Sequence, residues 1–331
     1  MRSLIPGRVS VIMPVYNAAR TLQESLESIR AQRFRDFELI FVEDGSTDGS
    51  VELLEAFAAT ADFPCHIVAQ AENGGVAAAR NRGLAAACGD YLAFVDADDR
   101  IAPQALETAI RALDASEDPV DIVGWDWTLG FEKNGRYMRQ ADYDTPLQAL
   151  KNLTGGTMRW NLWLFLVRRG LLTDNGIRFI DGANMGEDMM VMLKAFACAR
   201  KVIQLHETLY RYNAASPTSL SRQFSEQRRA EIGTNLAEAE RFLLAGPYAD
   251  DISEYINHLK LFLKLPLLIS ADRENYETWY KWFPEANSDA MKNEALPFRT
   301  RLRQGAAARR MWWAVRLYYK LGYQLFYRLY K

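Results

Sequence analysis

Histidine and cysteine are scarce, with three of each among 331 residues. Cys65, Cys88 and Cys198 form no CxxC pair and have no histidine at ligand spacing. That excludes a disulfide framework or a zinc site as the first expectation and fits a reducing compartment. His66, His206 and His258 belong to no ligand-spaced pair, so each is expected to be structural. His206 alone lies near the later acidic motif and is kept as a candidate metal or phosphate contact. No uncharged apolar run reaches the length of a membrane span, about 18 residues. The opening MRSLIPGRVS lacks the apolar core of a signal peptide, so a cytoplasmic chain is expected. No GxGxxG follows the first apolar run, which leaves a dinucleotide-dependent oxidoreductase without support. There is no internal repeat and no low-complexity linker.

With 49% hydrophobic and 25% charged residues the chain has an ordinary globular composition. Its length suits one large domain with an appendage, or two domains. The net charge of -2 is unevenly spread, because nine Lys or Arg and no Asp or Glu lie between Arg299 and Lys331, leaving 31 basic against 42 acidic side chains before them.

Residues 9 to 124 alternate between short β-prone runs and helix-like stretches. VSVIMPV, FELIFVE, CHIVAQ, YLAFVD and VDIVGW are apolar enough to be buried on both faces. Helical patterns fall near 18–31, 49–60, 76–87 and 103–114. This alternation predicts βαβ units and a mostly parallel sheet with helices on both faces. Ligands of such sheets bind at the carboxyl ends of the strands. Those ends carry Pro14, Tyr16 and Asn17, then Glu43 and Asp44, then Asp96, Asp98 and Asp99, with the glycine- and arginine-bearing ENGGVAAARNRG beside them. From about 225 onward the pattern reads as helical, which sets an expected boundary there.

Clustered carboxylates repel by roughly a few kcal/mol per close pair unless something offsets the charge. A hard cation with oxygen ligands would do so, and Asp96-x-Asp98 at a strand end suits Mg²⁺ or Mn²⁺ completed by substrate phosphate. An acidic turn capping the next helix fits the spacing equally well. The same two readings apply to Glu187 and Asp188, which directly precede the helical pattern of MMVMLKAFA: helix capping, or a carboxylate base.

VSVIMPVYN, VEDGSTDGS, NGGVAAARNRG, YLAFVDADD and GEDMMV occur in that order over roughly residues 8 to 222. The set closely resembles the inverting family 2 glycosyltransferases of the GT-A fold, the bacterial type that builds surface polysaccharides. The resemblance implies a GT-A domain over 1–225, with a nucleotide-binding half at about 8–124 and an acceptor-side half at about 125–225. A helical region, 226–331, would follow. It implies that Pro14 and Tyr16 line the nucleoside pocket, that Asp44 accepts from a uracil ring, and that Arg80 and Asn81 lie near the nucleotide. Glu43 stands where most relatives have a first aspartate. Asp98 would be the direct metal ligand, Asp96 would lie nearer the ribose, and Asp99 stays open. Asp188 would be the base, supported by Glu187, and the SPTSLSR segment, Ser216 to Arg222, would close over the donor. Trp160 and Trp163 are candidates for stacking on an acceptor sugar, against the alternative that they are core. The activity implied is Mn²⁺- or Mg²⁺-dependent transfer from a UDP-linked sugar to a saccharide or lipid-linked saccharide. A catalytically silent nucleotide-sugar-binding or scaffold subunit of a polysaccharide assembly complex is the alternative, and a nucleotidyltransferase would leave the GED element unexplained.

The segment 299–331 is basic and aromatic. Arg316, Lys320, Gln324 and Arg328 recur every four residues, one stripe of a helix otherwise rich in Trp, Tyr and Leu. A helix lying on the inner face of an anionic membrane and a helix packed on its own domain or in a homodimer both fit. Nucleic-acid binding is not expected, because the body is acidic and carries no recognised binding module.

Overall fold

The computed structural model describes residues 8–130, 134–214 and 225–324. Ser216–Arg222 and the last seven residues lie outside these, so the expectations placed there have no structural counterpart. The chain divides into two compact units, 1–147 with 160–243, and 148–159 with 244–331.

The first unit is built on a nine-stranded sheet. Its strands are β1 (Val9–Val15), β2 (Phe37–Glu43), β3 (Cys65–Ala69), β4 (Tyr91–Phe94), β5 (Arg100–Ile101), β6 (Ile122–Gly130), β7 (Gly135–Met138), β8 (Phe165–Arg168) and β9 (Val202–Asn213). Between them run α1 (Leu22–Arg30), α2 (Ser50–Thr60), α3 (Gly75–Ala86), α4 (Ala105–Asp114), α5 (Pro146–Gly155), α6 (Arg169–Asp174) and α7 (Glu187–Cys198), and α8 (Glu226–Leu244) follows β9. The sheet order is β3-β2-β1-β4-β8-β6-β9-β5, with β7 on β6.

The parallel half is the one the apolar runs foretell. β2 is buried at all seven positions, as a strand covered on both faces must be. β1, β2, β3 and β4 pair in parallel, whereas β8 joins β4 and β6 antiparallel and β5 joins β9 antiparallel. The expectation that CHIVAQ is buried on both faces is corrected: β3 is the edge of the sheet, and no position of it is fully buried. Helix α3 lies against β1 at Gly83, where an added Cβ would stand 2.4 Å from Ile12 Cγ2. α7 is buried at every position but its last, so an apolar stripe gives way to a helix that is apolar nearly all round.

The first unit runs on to 243. α8 is tied to the first unit by Asn235, whose Nδ2 donates to Ala183 O and Met185 O at 2.9 Å each, and by the ion pair of Lys194 with Glu238. The second unit contains α9 (Ala249–Lys264), α10 (Arg273–Lys281), α11 (Phe298–Ala308) and α12 (Trp312–Tyr318). It takes in 148–159 through Asn293 Nδ2, which donates to Gly155 O at 2.9 Å. Its core holds the Lys264 ammonium, which donates to Trp282 O, Phe283 O and Asn287 Oδ1 and lies 4.2 Å from the centre of the Trp279 ring. Burial pushes the Lys264 pKa down to about 7.

Candidate active site

The loops after β1 and β2 are stitched together. Asn17, at φ 47°, donates from its backbone to Ser46 Oγ (3.1 Å) and accepts from Thr47 N (2.8 Å). Pro14 is half-buried at the end of β1 and Tyr16 is 51% exposed, an aromatic face left open to a planar ligand. Asp44 is buried and clamps the glycine loop: Oδ1 accepts from Gln70 Nε2 (2.5 Å) and Gly74 N (2.8 Å), and Oδ2 from Gly75 N (3.0 Å). Burial raises its pKa, and the two glycine N–H groups act against that. Gly75 cannot be another residue here, since φ is +82° and a Cβ would meet Asn184 Nδ2 at 2.4 Å.

Arg80 rises from α3 into the middle of the acids with its side chain 4% exposed. Its Nη1 donates to Glu187 Oε1 and Asp188 Oδ1 at 2.6 Å each, and its Nη2 lies 3.4 Å from Asp96 Oδ1. Arg80 thereby joins two motifs about 100 positions apart in the sequence. Asn81 donates to Phe179 O and Asp181 Oδ1 and accepts from Phe179 N. Gly186, at φ +79°, turns the chain into α7 and sets Glu187 and Asp188 in its first turn. Asp188 Oδ2 accepts, among the described residues, one long bond, 3.4 Å, from Leu162 N. Burial, then the Asp188 charge, pushes the Glu187 pKa up to about 8 against the pull of Arg80. Burial likewise raises Asp96, to about 6.

The three aspartates of the DADD turn separate cleanly. Asp99 is fully buried, accepting from Tyr210 OH (2.9 Å) and Asn213 N (2.7 Å), and its pKa is held well above the usual carboxylate range by burial. Tyr210 OH in turn accepts from Asp96 N (3.1 Å), and Ser25 Oγ of α1 lies 2.6 Å from Asp99 O. Asp99 therefore anchors the turn to β9. Asp96 faces Arg80 and remains partly exposed. Asp98 is half-buried and makes no hydrogen bond or ion pair among the described residues.

A free carboxylate beside a partly exposed one fits a divalent cation of the Mg²⁺ or Mn²⁺ kind, which takes oxygen ligands and completes its shell with substrate phosphate and water. Among the described residues no three His, Cys, Asp or Glu converge so as to hold a metal ion by themselves.

Trp163, an acceptor candidate in the sequence, is core: 3% exposed, stacked on Tyr210 at 4.5 Å and Tyr212 at 5.7 Å. Trp160 is half-buried. His206 Nδ1 lies 3.0 Å from Asp126 Oδ2 and Nε2 lies 2.5 Å from Asp142 Oδ1, so neither nitrogen faces the acid cluster. His66 sits 3.4 Å from Glu38, and burial lowers the His258 pKa, in keeping with structural roles for both. Sequence reasoning missed Asn184, whose Oδ1 accepts from Ala77 N at 3.0 Å, and Asn235, which together hold the loop ahead of α7. Asn184 had a signal, a small polar residue three places before Glu187 and midway between Gly182 and Gly186; Asn235 had none.

The family model described as glycosyl transferase family 2 matches residues 10–191. The chain belongs to that family. It is 32% identical over 281 residues, 79% of this chain and 77% of the other, to a protein named uncharacterized glycosyltransferase EpsJ from Bacillus subtilis (strain 168). In fold it resembles S. aureus TarS 1-349 crystallised with UDP-GlcNAc, at TM-score 0.73 and 20% identity over 95% of this chain and 92% of that one. A second likeness of fold is to the mannosyltransferase PcManGT of Pyrobaculum calidifontis in complex with GDP-Man and Mn2+, at TM-score 0.55 and 21% identity, covering 95% and 85%. The expected GT-A fold with a helical C-terminal region is the fold observed. No helix among the described residues is long and apolar enough to cross a membrane.

Proposed function

We propose that this glycosyltransferase moves a hexose from a UDP-linked donor to a saccharide or lipid-linked saccharide acceptor, with inversion, in the synthesis of a surface glycan. The observation that carries the reading is Arg80, whose guanidinium bridges the acid pair at the start of α7 to Asp96 of the DxD turn. Donor motif and candidate base thereby share one support. TarS, crystallised with UDP-GlcNAc, and PcManGT, in complex with GDP-Man and Mn2+, add weight to a nucleotide-sugar donor and a divalent cation.

In this reading Tyr16 stacks on the base, Pro14 walls the pocket, and Asp44 lies within the same pocket behind the glycine loop. Asp98 and Asp96 hold the cation. When bound, that cation supplies Lewis-acid neutralisation of the departing diphosphate. Arg80 occupies Asp188 Oδ1 and leaves Oδ2, with its single long bond from Leu162 N, to take the acceptor hydroxyl proton. Inversion follows from one direct displacement assisted by a base, with no second carboxylate needed as a nucleophile.

Asp188→Asn preserves shape and removes the proton acceptor. Transfer should fall by about a thousandfold while UDP binding, measured by calorimetry, stays within a factor of a few. Retained transfer would remove Asp188 from the base role.

A further inference from the structure

Helix α12 has two apolar faces, and only one of them is covered. Trp312 points inward: its ring stacks on Tyr276 at 5.8 Å and its Nε1 donates to Glu277 Oε1 at 3.0 Å. Val315 is fully buried. On the other side Trp313 is 68% exposed and Leu317 49%, and Leu321, in the π-helical turn Tyr319–Gln324 that continues α12, is 58% exposed; the three are spaced by four residues. Phe298 and Leu302, again four apart on α11, are exposed at 59% and 48%. Packing within the second unit therefore accounts for the Trp312 face and leaves the Trp313 face unused. Large apolar side chains grouped this way on a surface mark an interaction site.

The charge around the stripe narrows the partner. Arg316 and Lys320 each precede a stripe residue by one position, so they flank it; both are exposed and neither makes an ion pair among the described residues. Arg299 on α11 and Arg309 just past its end are exposed. From Arg299 to the end of the sequence there is no acidic residue. A two-fold contact between copies through this stripe would set these like charges against each other with no acid in the segment to offset them. A polyanion such as nucleic acid would satisfy the cations and leave Trp313, Leu317 and Leu321 in water. An anionic lipid surface satisfies both at once: acyl chains and the interfacial layer take the apolar side chains, and lipid phosphates take the cations.

We propose that α12, with the exposed edge of α11, docks this enzyme on an anionic membrane surface, with Trp313, Leu317 and Leu321 entering the headgroup layer and Arg316 and Lys320 meeting phosphate. The inference stands on this surface alone and is independent of donor, acceptor and base.

The test is flotation of the full chain with vesicles of phosphatidylcholine alone or mixed with phosphatidylglycerol. The wild type should float with the anionic vesicles and not with the neutral ones, and raising the salt should weaken the binding. Trp313→Ser/Leu317→Ser/Leu321→Ser should lose binding by about tenfold or more at low salt, and Arg316→Glu/Lys320→Glu should lose it comparably. Because all five side chains are exposed, both variants should keep the wild-type melting temperature, which is measured alongside. Failure of the wild type to bind anionic vesicles overturns the proposal, as does undiminished binding by the triple Ser variant. A concentration-dependent dimer in sedimentation velocity that the triple variant dissolves, without lipid binding, assigns the stripe to a second copy and also overturns it.

Discussion

One guanidinium faces three carboxylates at the centre of the site, and the imbalance is met by a proton. Arg80 donates to Glu187 and Asp188 and lies near Asp96, yet Glu187 is buried beside Asp188 and its pKa is pushed from 4.5 up to about 8. Between those two values the folded chain holds a proton at Glu187 that the unfolded chain releases. Stability from this group therefore falls as pH rises through that window and is level above it, the reverse of an aspartate whose pKa is depressed by a salt bridge. Asp96, raised to about 6, adds the same sign over a lower range. Glu187→Gln keeps the shape and removes the titration, so its melting temperature should fall less than the wild type's between about pH 6 and pH 8.5. Parallel curves would show that the proton sits elsewhere. The DADD motif was legible in the sequence as an acidic turn at a strand end, but its members were not separable there. Asp98 and Asp99 are adjacent and chemically identical, and only the arrival of Tyr210 and Asn213 from β9 turns one inward and leaves the other free. The two readings of Trp163 could not be separated there either, since its stacking partners lie almost 50 positions away.

At the level of elements, the strand ends were readable because burial on both faces writes a continuous apolar run, and the parallel half follows from that run being interrupted by helical periodicity. Edge position is written more weakly. CHIVAQ has the composition of a core strand, but β3 has a neighbour on one side only. Helix packing distance is hidden as well, and glycine shows why. Gly83 in α3 and Gly233 in α8 look alike in sequence, yet a Cβ at Gly83 would stand 2.4 Å from Ile12 and 3.3 Å from Val42, while at Gly233 it meets nothing within 4 Å. Alanine gains about 1 kcal/mol over glycine in a helix interior. Overpacking costs about 1–3 kcal/mol. At Gly83 the second effect wins, so Gly83→Ala should lower stability and slide α3, carrying Arg80, away from β1. At Gly233 only the first applies, and Gly233→Ala should stabilise by up to about 1 kcal/mol. Denaturant melts of the two variants should thus move in opposite directions; movement in the same direction would deny the close approach of α3 to β1.

Taken whole, the molecule carries its excess of negative charge before Arg299, where the proposed donor site lies, and a diphosphate held at an acidic site calls for a cation between them. Asp98 is the acid that no neighbour satisfies, whereas Asp44, Asp99, Glu187 and Asp188 are each spoken for by backbone or Arg80. A ligand that binds only the folded state raises its stability by RT ln(1 + [L]/Kd), about 2.7 kcal/mol at a hundredfold excess over Kd. For a protein of this size that is a rise of roughly 5 °C in melting temperature. UDP with Mn²⁺ should give such a rise in the wild type, and UDP with a chelator should give markedly less. Asp98→Asn keeps the side-chain volume and removes the charge, so it should abolish the Mn²⁺-dependent part and retain the smaller shift from UDP alone, which the Tyr16 and Asp44 side of the pocket provides. The candidate donor residues all belong to the first of the two compact units, so only its transition should move. An Mn²⁺-dependent shift that survives in Asp98→Asn would place the cation on other ligands, and the same shift in a transition of 244–331 would place the donor outside the acidic mouth altogether.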